Sequence, residues 1–199
     1  SLLAQLVDSR ITGIGIRYYG ELAQSQNEML VGAALVGIFQ HMLSASVSLV
    51  NARSIAEQRG LEVIESRSTR SRNFTSLVSL KLHTENTEHW AEGAVFEPGQ
   101  SRLVRLDNVE IEIPLEGNVL VIRNNDQPGV IGDIGTVLGQ HNVNIATFAL
   151  GRSNEGAIGA VRIGSPTEQS PEESETLSIK ILNDIRAIGA VQTAHIVKL

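Results

Sequence analysis

The sequence predicts an α+β protein in two parts: an α/β-mixed domain with antiparallel strands over residues 1–117, then a ferredoxin-like βαββαβ domain over residues 118–199. Three observations carry this. Thr75-Ser76-Leu77-Val78-Ser79-Leu80-Lys81-Leu82 alternates polar and apolar side chains in its second half, as a strand with one wet face does. Pro114-Leu115-Glu116-Gly117-Asn118 breaks the pattern and marks the boundary. Beyond it, strand and helix periodicities follow in the order βαββαβ.

In the first domain, residues 11–22 are rich in β-favouring side chains and predict a strand. Asn27 is placed as the N-cap of a long helix over residues 28–48. Its apolar positions 29, 30, 33, 34, 36 and 38 cover a wide face, so the helix is expected to be mostly buried. Residues 51–59 predict a short helix closed by Gly60, which adopts the left-handed conformation cheaply. Strands are expected over residues 61–66, 74–82, 90–96 and 103–113. The basic stretch Arg67-Ser68-Thr69-Arg70-Ser71-Arg72-Asn73 links the first two.

In the second domain, residues 119–123 predict a strand. Asp126-Gln127-Pro128-Gly129 then opens a helix to Gln140, with Asp126 as N-cap and an apolar face at 130, 131, 134, 137 and 138. Residues 144–150 and 157–164 are strands joined by a hairpin connection over 151–156. Residues 165–174 read as loop. Residues 175–188 form an amphipathic helix with Leu177, Ile181, Leu182, Ile185 and Ile188 inward, and residues 190–199 a last strand.

Composition excludes several functions. With a net charge of −6, the chain is a poor non-specific nucleic-acid binder, which needs clustered Lys and Arg. The longest apolar stretch, residues 29–39, is broken by Gly32 and Gly37 and is too short for a membrane helix. Cysteine is absent, which rules out disulfides, thiolate chemistry and sulfur-bound metals in these residues and is compatible with a reducing cytoplasm. No signal-peptide pattern is read at the start. Ser1-Leu2-Leu3-Ala4-Gln5-Leu6 reads as the tail of a helix without an initiator Met, so a piece of a longer polypeptide is expected.

No catalytic or metal constellation is expected. His41, His83, His89, His141 and His195 show no metal spacing; His83 and His89 flank a polar turn with Glu85 and Glu88. Gly129-Val130-Ile131-Gly132-Asp133-Ile134-Gly135 has G-x-x-G-x-x-G spacing, not the dinucleotide fingerprint, and lysine occurs only at 81, 180 and 198, so no phosphate-loop lysine is present.

Two segments are candidate binding sites. At Asn124-Asn125-Asp126-Gln127-Pro128-Gly129-Val130 a strand ends where a helix begins, so backbone N–H groups favour a carboxylate. Asp126 and the amide oxygens of Asn124 and Asn144 can accept from an ammonium. A free amino acid needs both halves recognised; the alternative is a capped helix with a polar turn. The second segment holds Arg67, Arg70 and Arg72, which can pair bidentately with phosphate or carboxylate, with Ser68, Thr69 and Ser71 as further donors. The alternative there is a solvated basic loop.

From Val119 onward the sequence resembles an ACT domain, through Asp126-x-Pro128-Gly129, the Ile131/Ile134/Val137/Leu138 helix face, Asn142-Val143-Asn144-Ile145 and Phe148-Ala149-Leu150-Gly151-Arg152. Ile14-Gly15-Ile16-Arg17-Tyr18-Tyr19-Gly20-Glu21-Leu22 and Leu49-Val50-Asn51-Ala52-Arg53-x-x-Ala56-x-x-Arg59-Gly60 look like the intervening, allosteric substrate-binding domain of long-form D-3-phosphoglycerate dehydrogenases. The resemblance covers essentially the whole chain.

It implies a non-catalytic regulatory fragment of a cytoplasmic enzyme that oxidises 3-phosphoglycerate with NAD in L-serine biosynthesis. NAD would belong to upstream domains, and no cofactor is expected in these residues. It further implies L-serine as feedback effector between paired ACT domains, at Asn124, Asp126, Gly129, Val130 and Asn144, where the family often has His or Tyr in place of Asn124. An anionic phosphorylated metabolite would sit at Arg67, Arg70 and Arg72, and the chain would form a dimer or tetramer. Two rival expectations are an assembly module without ligand and the regulatory part of an iron–sulfur L-serine dehydratase.

Overall fold

Strand β1 (Ile11–Gly20) organises the first part of the chain because its two faces differ so sharply. Ile14, Ile16 and Tyr18 are fully buried on one face, while Gly13, Gly15 and Arg17 lie on the other. In a computed structural model, which describes residues 1–25, 27–43, 46–70, 73–97, 99–164 and 171–199, the chain divides into two units, Ser1–Asp107 and Asn108–Leu199.

In the first unit β1 lies between β2 (Glu62–Ser68) and β3 (Ser76–Thr84), followed by β4 (Glu88–Val95) and β5 (Ser101–Leu106), in the order β2-β1-β3-β4-β5. The sheet is mostly antiparallel, as expected, with one correction: β1 and β2 run parallel. A parallel pair needs a long crossover, and α2 (Glu28–Phe39) with α3 (Ala52–Gln58) supplies it; α1 (Leu2–Leu6) precedes them. The helix expected to reach residue 48 stops at Phe39, where the N–H groups of Met42 and Leu43 both return to the Phe39 carbonyl. It is also less buried than expected: Val31, Leu35, Ile38 and Phe39 are inside, but Met29 is 77% exposed. Asn27 is the N-cap residue of this helix, as expected, but its side chain makes no capping bond, because its Nδ2 donates instead to the Leu22 carbonyl at 2.6 Å.

The strand expected over residues 103–113 is two strands, β5 and β6 (Val109–Pro114). Asp107, at φ +48°, turns the chain between them, and its carboxylate accepts from the Trp90 N–H at 2.9 Å. Asp and Asn tolerate such turns, and here they replace the Gly or Pro that would announce one. β6 falls in the second unit; the boundary expected near Gly117 lies at its far end.

In the second unit β7 (Asn118–Asn124), β8 (Ile145–Ser153), β9 (Gly156–Ile163) and β10 (Val191–Lys198) form an antiparallel sheet in the order β10-β7-β9-β8, the ferredoxin-like arrangement. α4 (Val130–Gln140) and α5 (Pro171–Arg186) cover one face: Val130, Ile134, Leu138, Ile181 and Ile185 pack with Leu120, Ile122, Val161 and Ala194. Ile131, expected on that face, is 48% exposed. The expected loop over residues 165–174 falls partly outside the described residues, and the helix begins at Pro171. On the other face β6 runs against β8 and β9, burying Val109, Ile111 and Ile113. Among the described residues no helix is long and apolar enough to cross a membrane.

Gly151 sets how closely β6 approaches: a Cβ there would lie 2.2 Å from the Glu110 carbonyl oxygen and 2.3 Å from a Val109 methyl. Gly151→Ala is therefore expected to destabilise by about 1–3 kcal/mol through overpacking. Gly135→Ala, mid-helix with open space around it, is expected to stabilise by about 0.5–1 kcal/mol. Urea unfolding of both variants measures this.

Candidate functional site

Asn124 ends β7 on the helix-covered side of its sheet, where its register partner is Ala157 of β9. It is 2% exposed. Its Oδ1 accepts the Asp126 N–H at 2.9 Å, which fixes the turn that follows. Asp126 itself sits at φ +50° and Gly129 at φ +95°. The left-handed Gly129, not Asp126, is the N-cap of α4, with the Asp133 N–H bonded to the Gly129 carbonyl. The expected capping role of Asp126 is thus corrected. Its carboxylate turns away to Arg152, whose Nε donates to Oδ1 at 2.9 Å.

These features enclose a cavity of about 310 Å³. Four of the five residues expected to hold an amino acid line it: Asn124, Asp126, Gly129 and Val130. Ile134, Phe148 and Leu150 give it apolar walls, and Arg152 stands at its rim. The first N–H groups of α4, from Ile131 and Gly132, lack acceptors within the helix by the geometry of any helix start, and both residues line the cavity. The Nδ2 of Asn124 is buried and makes no hydrogen bond. A buried donor left unmade costs about 1–3 kcal/mol, so this amide is poised for an acceptor that the folded chain does not supply. The arrangement offers donors for an oxyanion at one end and a carboxylate for a cation at the other.

Asn144, the fifth expected residue, is not brought to this cavity. It precedes Ile145, at the opposite end of β8 from Arg152, and its carbonyl accepts from the Gly164 N–H at 2.8 Å. Arg152 carries the reverse lesson. The sequence motif contains it without assigning it a place at the site. Register puts it there: Arg152 faces Ala157, which faces Asn124. The six-residue hairpin connection expected from sequence shrinks to a turn at Asn154-Glu155, and that extension of β8 fixes where Arg152 sits.

Arg67 lies within β2 beside Tyr18, Arg70 follows the strand, and Arg72 lies outside the described residues. Among the described residues, the adjoining hollow is lined by Gly20, Glu21, Gln24, Thr69, Asn73, Phe74 and Thr75. His83 and His89 each face a carboxylate, Glu88 at 2.9 Å and Asp107 at 3.5 Å. Among the described residues no group of three or more His, Asp or Glu is placed to hold a metal.

Replacing Asn124 by Ala removes the bond that shapes the turn and is expected to cost about 1–3 kcal/mol. Arg152→Ala opens an exposed pair and is expected to cost less than about 1 kcal/mol. Thermal and urea unfolding of the two variants would separate them.

Residues 1–107 match the family described as the D-3-phosphoglycerate dehydrogenase intervening domain, and residues 118–177 match the ACT domain. Among curated proteins, the D-3-phosphoglycerate dehydrogenase of Synechocystis sp. is 32% identical across 100% of this chain and 35% of its own length. The D-3-phosphoglycerate dehydrogenase 3, chloroplastic, of Arabidopsis thaliana is 30% identical across 94% of this chain and 34% of its own. That of Methanocaldococcus jannaschii is 26% identical, across 96% and 36%. The chain spans about a third of the length of these relatives.

Proposed function

The chain belongs to the D-3-phosphoglycerate dehydrogenase intervening-domain family, and from that premise we propose that it is the regulatory part of such an NAD-dependent cytoplasmic dehydrogenase and binds L-serine as feedback effector in its ACT domain. NAD and the oxidation of 3-phosphoglycerate would belong to the remainder of such an enzyme.

The observation that carries the effector reading is the buried, unpaired Asn124 Nδ2 beside the open N-terminus of α4. An α-carboxylate suits those donors, since a helix start favours negative charge. An ammonium suits the Asp126 carboxylate, which Arg152 holds only through an exposed pair. Because Arg152 is 69% exposed in its side chain, it can yield to the ligand without leaving a buried charge behind. Apolar walls at Ile134, Phe148 and Leu150 favour a small side chain over a charged one.

The position of Asn144 supports a paired site. β8 is an edge strand of its sheet, so its outer N–H and C=O groups can pair with another strand. Two copies joined antiparallel along β8 would bring Asn144 of one towards the Arg152 end of the other. Serine lying between them would favour one relative arrangement, and only such a difference in affinity can transmit inhibition.

Calorimetric titration of the chain with L-serine, glycine and L-alanine tests this, alongside sedimentation to fix the assembly state. Serine is expected to bind most tightly, and Asn124→Ala and Asn144→Ala each to weaken it by about tenfold. A folded dimer that takes up no serine at millimolar concentration would sink the effector assignment and favour an assembly module indifferent to ligand.

The phosphorylated-anion role expected of Arg67, Arg70 and Arg72 stays part of this reading only for a ligand held at the strand end after β2. Triple substitution to Gln is expected to abolish it without touching serine binding.

A further inference from the structure

Arg152 stands where the ammonium of an amino acid would go, paired with the carboxylate that such a ligand needs. We propose that Arg152 decides which class of ligand the ACT-domain cavity accepts. Closed on Asp126, it leaves a site for a carboxylate that carries no cation, such as a 2-hydroxy acid; an α-amino acid enters only by taking its place. This inference rests on the amino-acid reading of the cavity.

The charges at the cavity are few. Among the described residues that line it, Arg152 is the only cation and Asp126 the only anion. Arg152 Nε donates to Asp126 Oδ1 at 2.9 Å, so the two charges offset each other while they touch. What then faces the space is a set of donors. One is the Asn124 Nδ2, buried and without a hydrogen-bond partner. The others are the first N–H groups of α4, from Ile131 and Gly132. Donors with no unpaired anion beside them suit a carboxylate alone.

An amino acid meets a different balance. Its carboxylate uses the same donors, but its ammonium needs Asp126. With Arg152 still in place, that ammonium would lie beside a guanidinium of like charge. Binding is therefore an exchange of one cation for another, and Asp126 stays paired throughout. Arg152 can make the move because its side chain is 69% exposed, so water receives the released guanidinium at little cost. A 2-hydroxy acid offers no such exchange. Expelling Arg152 would set the ligand's carboxylate beside an unpaired Asp126, so this class binds with the pair closed.

The two classes thus feel Arg152 with opposite sign. For an amino acid the guanidinium is a competitor built into the chain. For a 2-hydroxy acid it is the group that neutralises Asp126. A purely structural role would not separate them, since loosening the turn weakens both ligands together.

Calorimetric titration of the 199-residue chain with L-serine and L-glycerate tests this, because the two differ only in carrying an ammonium or a hydroxyl at Cα. The wild-type chain, Arg152→Gln and Arg152→Lys are compared, with thermal unfolding to check that each is folded. Both ligands are expected to bind the wild type. Arg152→Gln is expected to tighten L-serine about threefold and to weaken L-glycerate about threefold, which moves their ratio by about tenfold. Arg152→Lys keeps the charge and is expected to stay near the wild type. The inference is overturned if the wild type takes up L-serine but no L-glycerate, if Arg152→Gln moves both ligands in the same direction, or if Arg152→Lys behaves as Arg152→Gln does. Failure of the amino-acid reading has a separate signature: L-serine then binds none of the three folded chains, and this inference falls with it.

Discussion

One hydrogen bond shapes the second unit's functional end: the Asn124 side-chain oxygen accepting the Asp126 N–H. It takes a buried amide at the end of a central strand and uses it to hold Asp126, two residues on, in a left-handed conformation. That turn, completed by Gly129, aims the start of α4 at the space beside β7. A longer or apolar side chain at 124 would fill the space or free the turn. The same amide then presents its nitrogen to the cavity. The two ends of one side chain thus differ, the oxygen shaping the turn and the nitrogen lying buried without a hydrogen bond.

The order and type of elements in the second unit were legible because each segment carries a strong period and the breaks are marked by Gly, Pro and Asn. Within the site, Asn124, Asp126, Gly129 and Val130 were legible as neighbours because they are close in sequence. Arg152 and Asn144 were not, since their places depend on how far β8 extends and which way it runs. Asp126 illustrates competition between two good caps: Gly129 takes the position because the turn needs a left-handed residue there, and Asp126 is left to pair with Arg152. In the first unit, alternation announces a strand but not its direction, so the parallel run of β2 beside β1 had no signature. The turn at Asp107-Asn108 was hidden for a related reason: the apolar alternation continues through both flanks.

The parallel pairing of β1 with β2 also bears on the order in which the first unit assembles. β3, β4 and β5 are joined by short turns and can zip together locally. β1 and β2 are separated by both crossover helices, so their union must overcome a larger loop-closure entropy. Strand β1, whose Gly13 and Gly15 add little packing of their own, is therefore expected to be among the last to gain lasting protection. The hollow above it would form only when that late step is complete, so a probe seated there would report on the fully assembled unit and on no partly folded form.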